Sequence, residues 1–423
     1  MTHVVVIGCG VVGAVIAYEL SLVPGIKITV LDKQPPAQAA TAAALGVLMG
    51  VISHKTKGKA WQMRQSSILR YETLIPELVS RTGHQIRFNQ QGILMLLDSE
   101  SGSDSDLARW KRLTEIRAEQ GWQLQIWDRE KVKSRCPQID SDRICAAIYS
   151  PSDRQVDPVS LTLALVAAAK SNGVTFHFGV TVEEYNLKTT NTQHQVQRIK
   201  TKTEALESFL IPDIDWLVVS AGLGTVQTLQ GMHSTLLAGE AGGETRAGGA
   251  GEVGEAGGEK PLTSCLSPLA RSPSSLAPFP IDIRPVLGQA LHLKLSHPLG
   301  DRDFQPVITG NDVHIVPCNG VQPTEYWVGA TVEFPTDTGD LVAQSACIER
   351  VMEQAIALCP ALSQATVLRT WSGLRPRPEG QPAPIIGHLP GFSNVLLATG
   401  HYRNGVLLAP ATAQIISEMI LNS

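Results

Sequence analysis

The chain opens on an unbroken apolar run, His3 to Ile7, the pattern of a strand buried on both faces. Gly8-Cys9-Gly10-Val11-Val12-Gly13 follows, and Ala14 to Leu22 reads as a helix. Lys27 to Leu31 is a second buried strand that ends at Asp32. Further on, Lys57 to Arg81 is helical in pattern and interrupted by Pro76. Gln85 to Leu97 alternates around Gly92, as two strands with a turn would. Asp104 to Gln120 reads as a charged surface helix, and Leu161 to Lys170 as a buried one closed by Asn172-Gly173. Val174 to Phe178 and Trp216 to Ser220 are strands, the latter closed by Ala221-Gly222. Pro285 to Leu295, Val313 to Pro317 and Tyr326 to Val332 have the texture of antiparallel strands. Leu341 to Leu358 is a helix, Val395 to Thr399 a late buried strand, and Leu407 to Leu421 a last helix. The two textures alternate. That predicts two interleaved domains, with both ends of the chain meeting in one of them.

One segment breaks the pattern. Residues 238–278 are Gly/Ala/Glu-rich, then Ser/Pro/Leu-rich, and carry Gly-Glu-Ala-Gly-Gly-Glu twice. Such a stretch cannot bury a core and is expected to be a flexible, low-complexity insertion. It holds 9 of the chain's 37 glycines, so most of the glycine excess is local.

The net charge of −4 gives no electrostatic reason to expect a nucleic acid or an anionic membrane as partner. Seven cysteines, an odd number without a C-x-x-C pair, fit a reducing cytoplasm rather than a disulfide framework. The apolar start lacks the basic segment of a signal peptide, since the first Lys or Arg is Lys27. No other stretch reaches the roughly 18 apolar residues of a membrane span. No spacing of His, Cys, Asp and Glu suggests a metal site, and no P-loop or serine-hydrolase elbow is present.

The chemistry concentrates at the two ends. The spacing G-x-G-x-x-G at Gly8, Gly10 and Gly13 lies between a strand and a helix, where backbone can approach a pyrophosphate. Asp32 can accept from ribose hydroxyls and disfavours a 2′-phosphate, so NADP is not expected. Near the other end, Asn394 to Gly400 is a strand ending in glycine, and His401-Tyr402-Arg403-Asn404-Gly405 leads into a helix. Its exposed N–H groups could meet a partly negative cofactor atom.

These pieces together resemble the FAD-dependent D-amino-acid oxidase superfamily, and most closely its glycine oxidase branch, associated with thiamine biosynthesis. The resemblance is carried by Val6 to Gly13, Asp32, Ala42 to Leu48, Val156-Asp157-Pro158, Val219 to Gly222 and Arg284 to Gln289. It continues through Gly373-Leu374-Arg375-Pro376, Pro384 to Gly387 and Gly400 to Pro410. It implies an α/β fold. An FAD-binding Rossmann-like domain (1–84, 150–237 and 366–423) would interleave with an α+β substrate domain on an antiparallel sheet (85–149 and 279–365). It further implies non-covalent FAD held by Gly8, Gly10, Val11, Val12, Gly13, Asp32 and Lys33. Ala43, Ala44, Gly46 and Val47 would lie along the flavin, with Ala221 and Gly222 nearby. Gly400, His401, Tyr402, Arg403, Asn404, Gly405 and Val406 would surround its pyrimidine end.

The implied reaction oxidises a small amino acid or amine by hydride transfer from Cα. Oxygen would be the acceptor, and a 2-oxo acid, ammonia and hydrogen peroxide the products. A quinone-linked dehydrogenase is the alternative, and a non-catalytic flavoprotein a further one. A homo-oligomer is possible within the family pattern. Arg375 would hold the substrate carboxylate, for which a guanidinium fork suits, and Arg403 would support it. Arg377, between two prolines, is the weaker candidate. His314 stands where the family has tyrosine, and Cys318 where it has arginine. Val332 and Val47 stand where methionine is common. All four are expected to reshape the pocket.

Overall fold

The structure is a computed structural model that describes residues 1–98, 104–190, 193–203, 205–243, 281–318, 324–336 and 341–423. Apolar runs with no polar alternation can only be buried on both faces, and the central sheet is built from them. Its six strands lie in the order Ile385–His388, Val395–Thr399, Trp216–Val219, Thr2–Ile7, Ile26–Asp32, Thr175–Phe178. All neighbours are parallel except Ile385–His388 and Val395–Thr399. Val4 and Val6 turn one way, toward helices Val11–Ser21, Gly58–Thr82, Pro158–Ser171 and Gly405–Leu421. Val5 and Ile7 turn the other way, toward a three-stranded antiparallel sheet, Val180–Thr189, His194–Thr203 and Ser208–Ile211, and the helix Thr225–Gly243.

Local chemistry explains the element ends. Asp157 caps Pro158–Ser171 by accepting from Val159 N at 3.0 Å, and Pro158 fills the first helical position, where no N–H is needed. The helix Gly58–Thr82 runs through Pro76 without interruption, contrary to the pattern reading. Its buried stripe, which includes Trp61, Ile68, Tyr71, Leu74 and Leu78, holds both sides of the proline. Gly83, at φ 70°, then ends it.

The second large sheet has eight strands in the order Thr366–Pro378, Ile283–Lys294, Glu325–Gly329, Val313–Pro317, Val307–Gly310, Ile93–Asp98, Ile144–Ser150, Gln125–Asp128. It is antiparallel except between Val307–Gly310 and Ile93–Asp98. Helix Ser345–Leu358 packs Val351, Ala355 and Leu358 against Leu291, Leu293, Ile308 and Ile315. The α/β class and the interleaving of two sheet systems match the sequence reading. Residues 366–378, placed with the FAD-binding domain in the sequence reading, form the strand Thr366–Pro378, which pairs along its length with Ile283–Lys294 in the second sheet. The three-stranded sheet and the helix Thr225–Gly243 are additions. Of the low-complexity segment 238–278, residues 238–243 belong to that helix and the rest lies outside the described residues.

Tyr402–Leu421 is long and apolar enough to cross a membrane by composition, which the sequence reading overlooked. Here the helix Gly405–Leu421 is a core element, with Leu407, Leu408, Ala411, Ile416 and Ile420 buried against the neighbouring helices. The six described cysteines are free thiols.

Candidate active site

The first glycine turn is tight because of what it must clear. A Cβ on Gly13 would lie 1.9 Å from the Gly8 carbonyl oxygen, so only glycine lets helix Val11–Ser21 start against its strand. Gly8 itself sits at φ 106°, beside Ser220. Gly13 is therefore a packing residue and does not line the cavity, unlike Gly8, Gly10, Val11 and Val12. Thr41 accepts from Val11 N at 3.0 Å and fixes the helix start. The Asp32 carboxylate accepts from Cys9 N at 2.6 Å and Gln34 N at 2.9 Å, which anchors it at the strand end.

From this turn a cavity of about 1170 Å³ runs between the two large sheets. That exceeds the ~300–1,000 Å³ of an ordinary ligand pocket. Asp32, Lys33, Ala43, Ala44, Gly46, Val47, Ala221, Gly222 and the whole turn from Gly400 to Val406 line it. His401 contributes wall rather than ring: its side chain is buried, with Nε2 2.9 Å from Thr412 Oγ1, and burial lowers its pKa to about 4. Part of the cavity wall is mixed, with Val180, Val182 and Tyr185 beside Thr181, Glu183, Gln227 and Thr228.

One extremity is cationic. Arg375, Arg403 and His314 all line it. Arg375 lies on strand Thr366–Pro378, on the same face as Trp371 and Gly373. Trp371 Nε1 donates to the Ala43 carbonyl at 3.1 Å, and a Cβ on Gly373 would come within 2.1 Å of Ala43 Cβ. On the neighbouring strand a Cβ at Gly288 would fall 2.2 Å from the Arg375 guanidinium, so glycine provides its berth. Arg375 Nη1 donates to the carbonyls of Leu287 and Thr331, each at 3.0 Å. Burial, with Arg403 nearby, pulls its pKa below the ordinary arginine value. Asn311 and Asp312, both at positive φ, form a tight turn that brings Asp312 to 3.7 Å from Arg403. This exposed pair is worth about 0–1 kcal/mol at most. His314 follows on the next strand. Burial first, then Arg403 and Arg375, lower its pKa to about 4, so its ring is neutral, and Nδ1 is buried without a partner.

Of the four residues expected to reshape the pocket, His314 and Val47 line the cavity. Cys318 does not. It sits in a separate small cleft with Arg87 and Trp327. Val332 is not among the lining residues and is 36% exposed. Arg377 pairs with Glu379 at 2.8 Å outside the cavity. The sequence reading missed Thr41, and gave no site role to Gly288 and Gly373, which it quoted only within motifs. Gly288 stood inside a strand pattern, Pro285 to Leu295, a signal of close approach.

Glycine turn, anchored acid and alanine-lined wall fit a dinucleotide cofactor. The chain belongs to the FAD dependent oxidoreductase family, whose sequence profile matches residues 3–242 and 265–419. FAD, the cofactor in that family's description, fits the lining just described. Over 427 residues it is 28% identical to the bifunctional protein ThiO/ThiG of Synechocystis sp., covering all of this chain and 52% of that protein. It is 25% identical to the glycine oxidase of Geobacillus kaustophilus, covering 99% and 94%. The chain thus spans about half the length of the ThiO/ThiG relatives it matches and nearly all of that glycine oxidase. The fold matches the crystal structure of glycine oxidase from Bacillus cereus with a TM-score of 0.74, at 22% identity over 100% and 95% of the two chains.

Proposed function

We propose that this chain oxidises a small α-amino acid, glycine or an N-substituted glycine first among candidates, and passes the electrons to oxygen. The observation that carries this reading is the continuity of one cavity from the dinucleotide turn to Arg375. Bound FAD supplies the redox chemistry, accepting a hydride from the substrate Cα and reducing oxygen to hydrogen peroxide. The residues named along the cavity from Gly8 to Val406 would hold it.

The chain's own part is placement. Nη1 of Arg375 is committed to two carbonyls, and Nε and Nη2 make no hydrogen bond to a described residue. Those two donors share one edge of the guanidinium and suit a bidentate carboxylate. Arg403 adds positive charge on the same side, with its weak tie to Asp312 easily exchanged. His314, neutral, offers a ring nitrogen without adding a third positive charge. The amine loses hydride as the free base. The resulting imine is hydrolysed to a 2-oxo acid and ammonia.

Anaerobic bleaching of the flavin with glycine, sarcosine, D-alanine and D-proline tests the substrate class. Bleaching by none of them rejects it. One peroxide per turnover in air is expected. Full turnover only with an added quinone would replace oxygen by that acceptor.

A further inference from the structure

Behind Arg375, on the side away from its Nε and Nη2, lies a buried polar network centred on a carboxylate. Glu333 is 8% exposed and Gln289 9%. Glu333 Oε1 accepts from Gln289 Nε2 at 2.9 Å and from the Thr331 hydroxyl, and Oε2 accepts from Gln344 N at 3.0 Å. Each partner is a donor, so the group acts purely as an acceptor, as an ionised carboxylate does. The backbone closes the same circuit. Glu333 N donates to the Leu287 carbonyl at 3.0 Å, and Leu287 N donates to the Glu333 carbonyl at 2.9 Å. Thr331 N donates to the Gln289 carbonyl at 3.2 Å, and Gln289 N donates to the Thr331 hydroxyl at 2.8 Å.

The two carbonyls that hold Arg375 Nη1 are those of Leu287 and Thr331. Leu287 is bonded to the Glu333 main chain, and Thr331, through its hydroxyl, to the Glu333 carboxylate. A buried anion also stands near a buried cation, and each offsets part of the other's desolvation.

We infer that Glu333 is the positioning residue of the substrate site: it fixes the two carbonyls that clamp one nitrogen of Arg375, leaving the other edge aimed at the substrate carboxylate. The inference rests on the reading of Arg375 as the carboxylate ligand. Glu333→Gln keeps the shape but turns an N–H₂ toward donors, which breaks the circuit.

The test is calorimetric binding of glycolate to the FAD-loaded enzyme, with its amide, glycolamide, as the uncharged control. Glu333→Gln should weaken glycolate at least about tenfold while glycolamide affinity and FAD affinity stay within about twofold. In turnover the loss should appear in KM more than in kcat. A folded Glu333→Gln protein with wild-type glycolate affinity overturns the inference. So does an equal loss of glycolate and glycolamide, which marks general disruption of the site. Should Glu333→Gln not fold, Thr331→Val removes one donor and decides the matter: weaker glycolate binding supports the role, and unchanged binding overturns it. Arg375→Ala separates the two levels. If it retains glycolate affinity, the reading of Arg375 itself fails. If it loses affinity while Glu333→Gln does not, only the role of Glu333 fails.

Discussion

A guanidinium that loses water on burial, as Arg375 does, is costly to keep and more costly to leave unanswered. Removing it from a bound carboxylate leaves that charge without a partner, a loss of about 2–5 kcal/mol. Arg375→Ala should therefore raise the apparent KM at least about 30-fold with FAD still bound, and an unchanged KM would reject the assignment. Arg375→Lys should recover little, because an ammonium lacks the planar edge. Arg377→Ala is the internal control: its partner Glu379 is outside the cavity, and KM should move less than about twofold. The arginine could be read from sequence through its motif. Gly288 and Gly373 could be seen only as glycines, because what they clear, a guanidinium and Ala43, comes from other elements. Glu333 had no local signal at all. Its meaning arises from a bridge to Leu287 across the sheet.

Elements show the same contrast. The parallel strands were legible because burial on both faces leaves an uninterrupted apolar run. The sheet Val180–Thr189, His194–Thr203, Ser208–Ile211 was not, because it is polar outward and buries only a few positions, such as Tyr185, Val196, Ile199 and Ile211. The strand Thr366–Pro378 was not read from the pattern, and nothing in its own residues names its neighbour, Ile283–Lys294. Two predictions belong here. Gly373→Ala drives a Cβ into Ala43, and overpacking of this kind costs about 1–3 kcal/mol. FAD affinity, read by flavin fluorescence, should fall roughly 5- to 150-fold while far-UV circular dichroism is kept. The second concerns two histidines whose pKa is lowered to about 4, His314 on its strand and His401 at the start of the last turn. Each has a folded pKa of about 4 against 6.5 when unfolded. Below 6.5 the unfolded chain takes up protons that the folded chain refuses, so stability falls as pH drops from 6.5 toward 4. The limit is on the order of 3 kcal/mol for each ring. The Tm should decline through this window and stay level in this respect above pH 7. His401→Gln should flatten part of the decline, and an identical slope in that variant would rule out His401 as a source.

At the scale of the molecule, the cavity is the space between two sheets whose strands alternate along the chain. Interleaving was legible from the alternation of textures, but the room between the sheets was not, since it depends on how they pack. A cofactor held there only by packing and hydrogen bonds should come free when the fold does. Acid precipitation is expected to leave the flavin in the supernatant, and a yellow pellet would indicate a covalent link. FAD added at about 100 times its Kd should stabilise the native state by about 2.7 kcal/mol, read as a rise in Tm over the stripped protein.

Trp371, Gly373 and Arg375 stand on one face of one strand, the first two seated on Ala43 and the third at the proposed carboxylate site of the same cavity. Whatever steadies that strand for one ligand steadies it for the other. The two affinities are then thermodynamically linked, and linkage is reciprocal. If a bound carboxylate tightens FAD by some factor, FAD must tighten the carboxylate by the same factor. Where that factor exceeds one, the cofactor is held best while the carboxylate site is filled, and shed most readily when it empties.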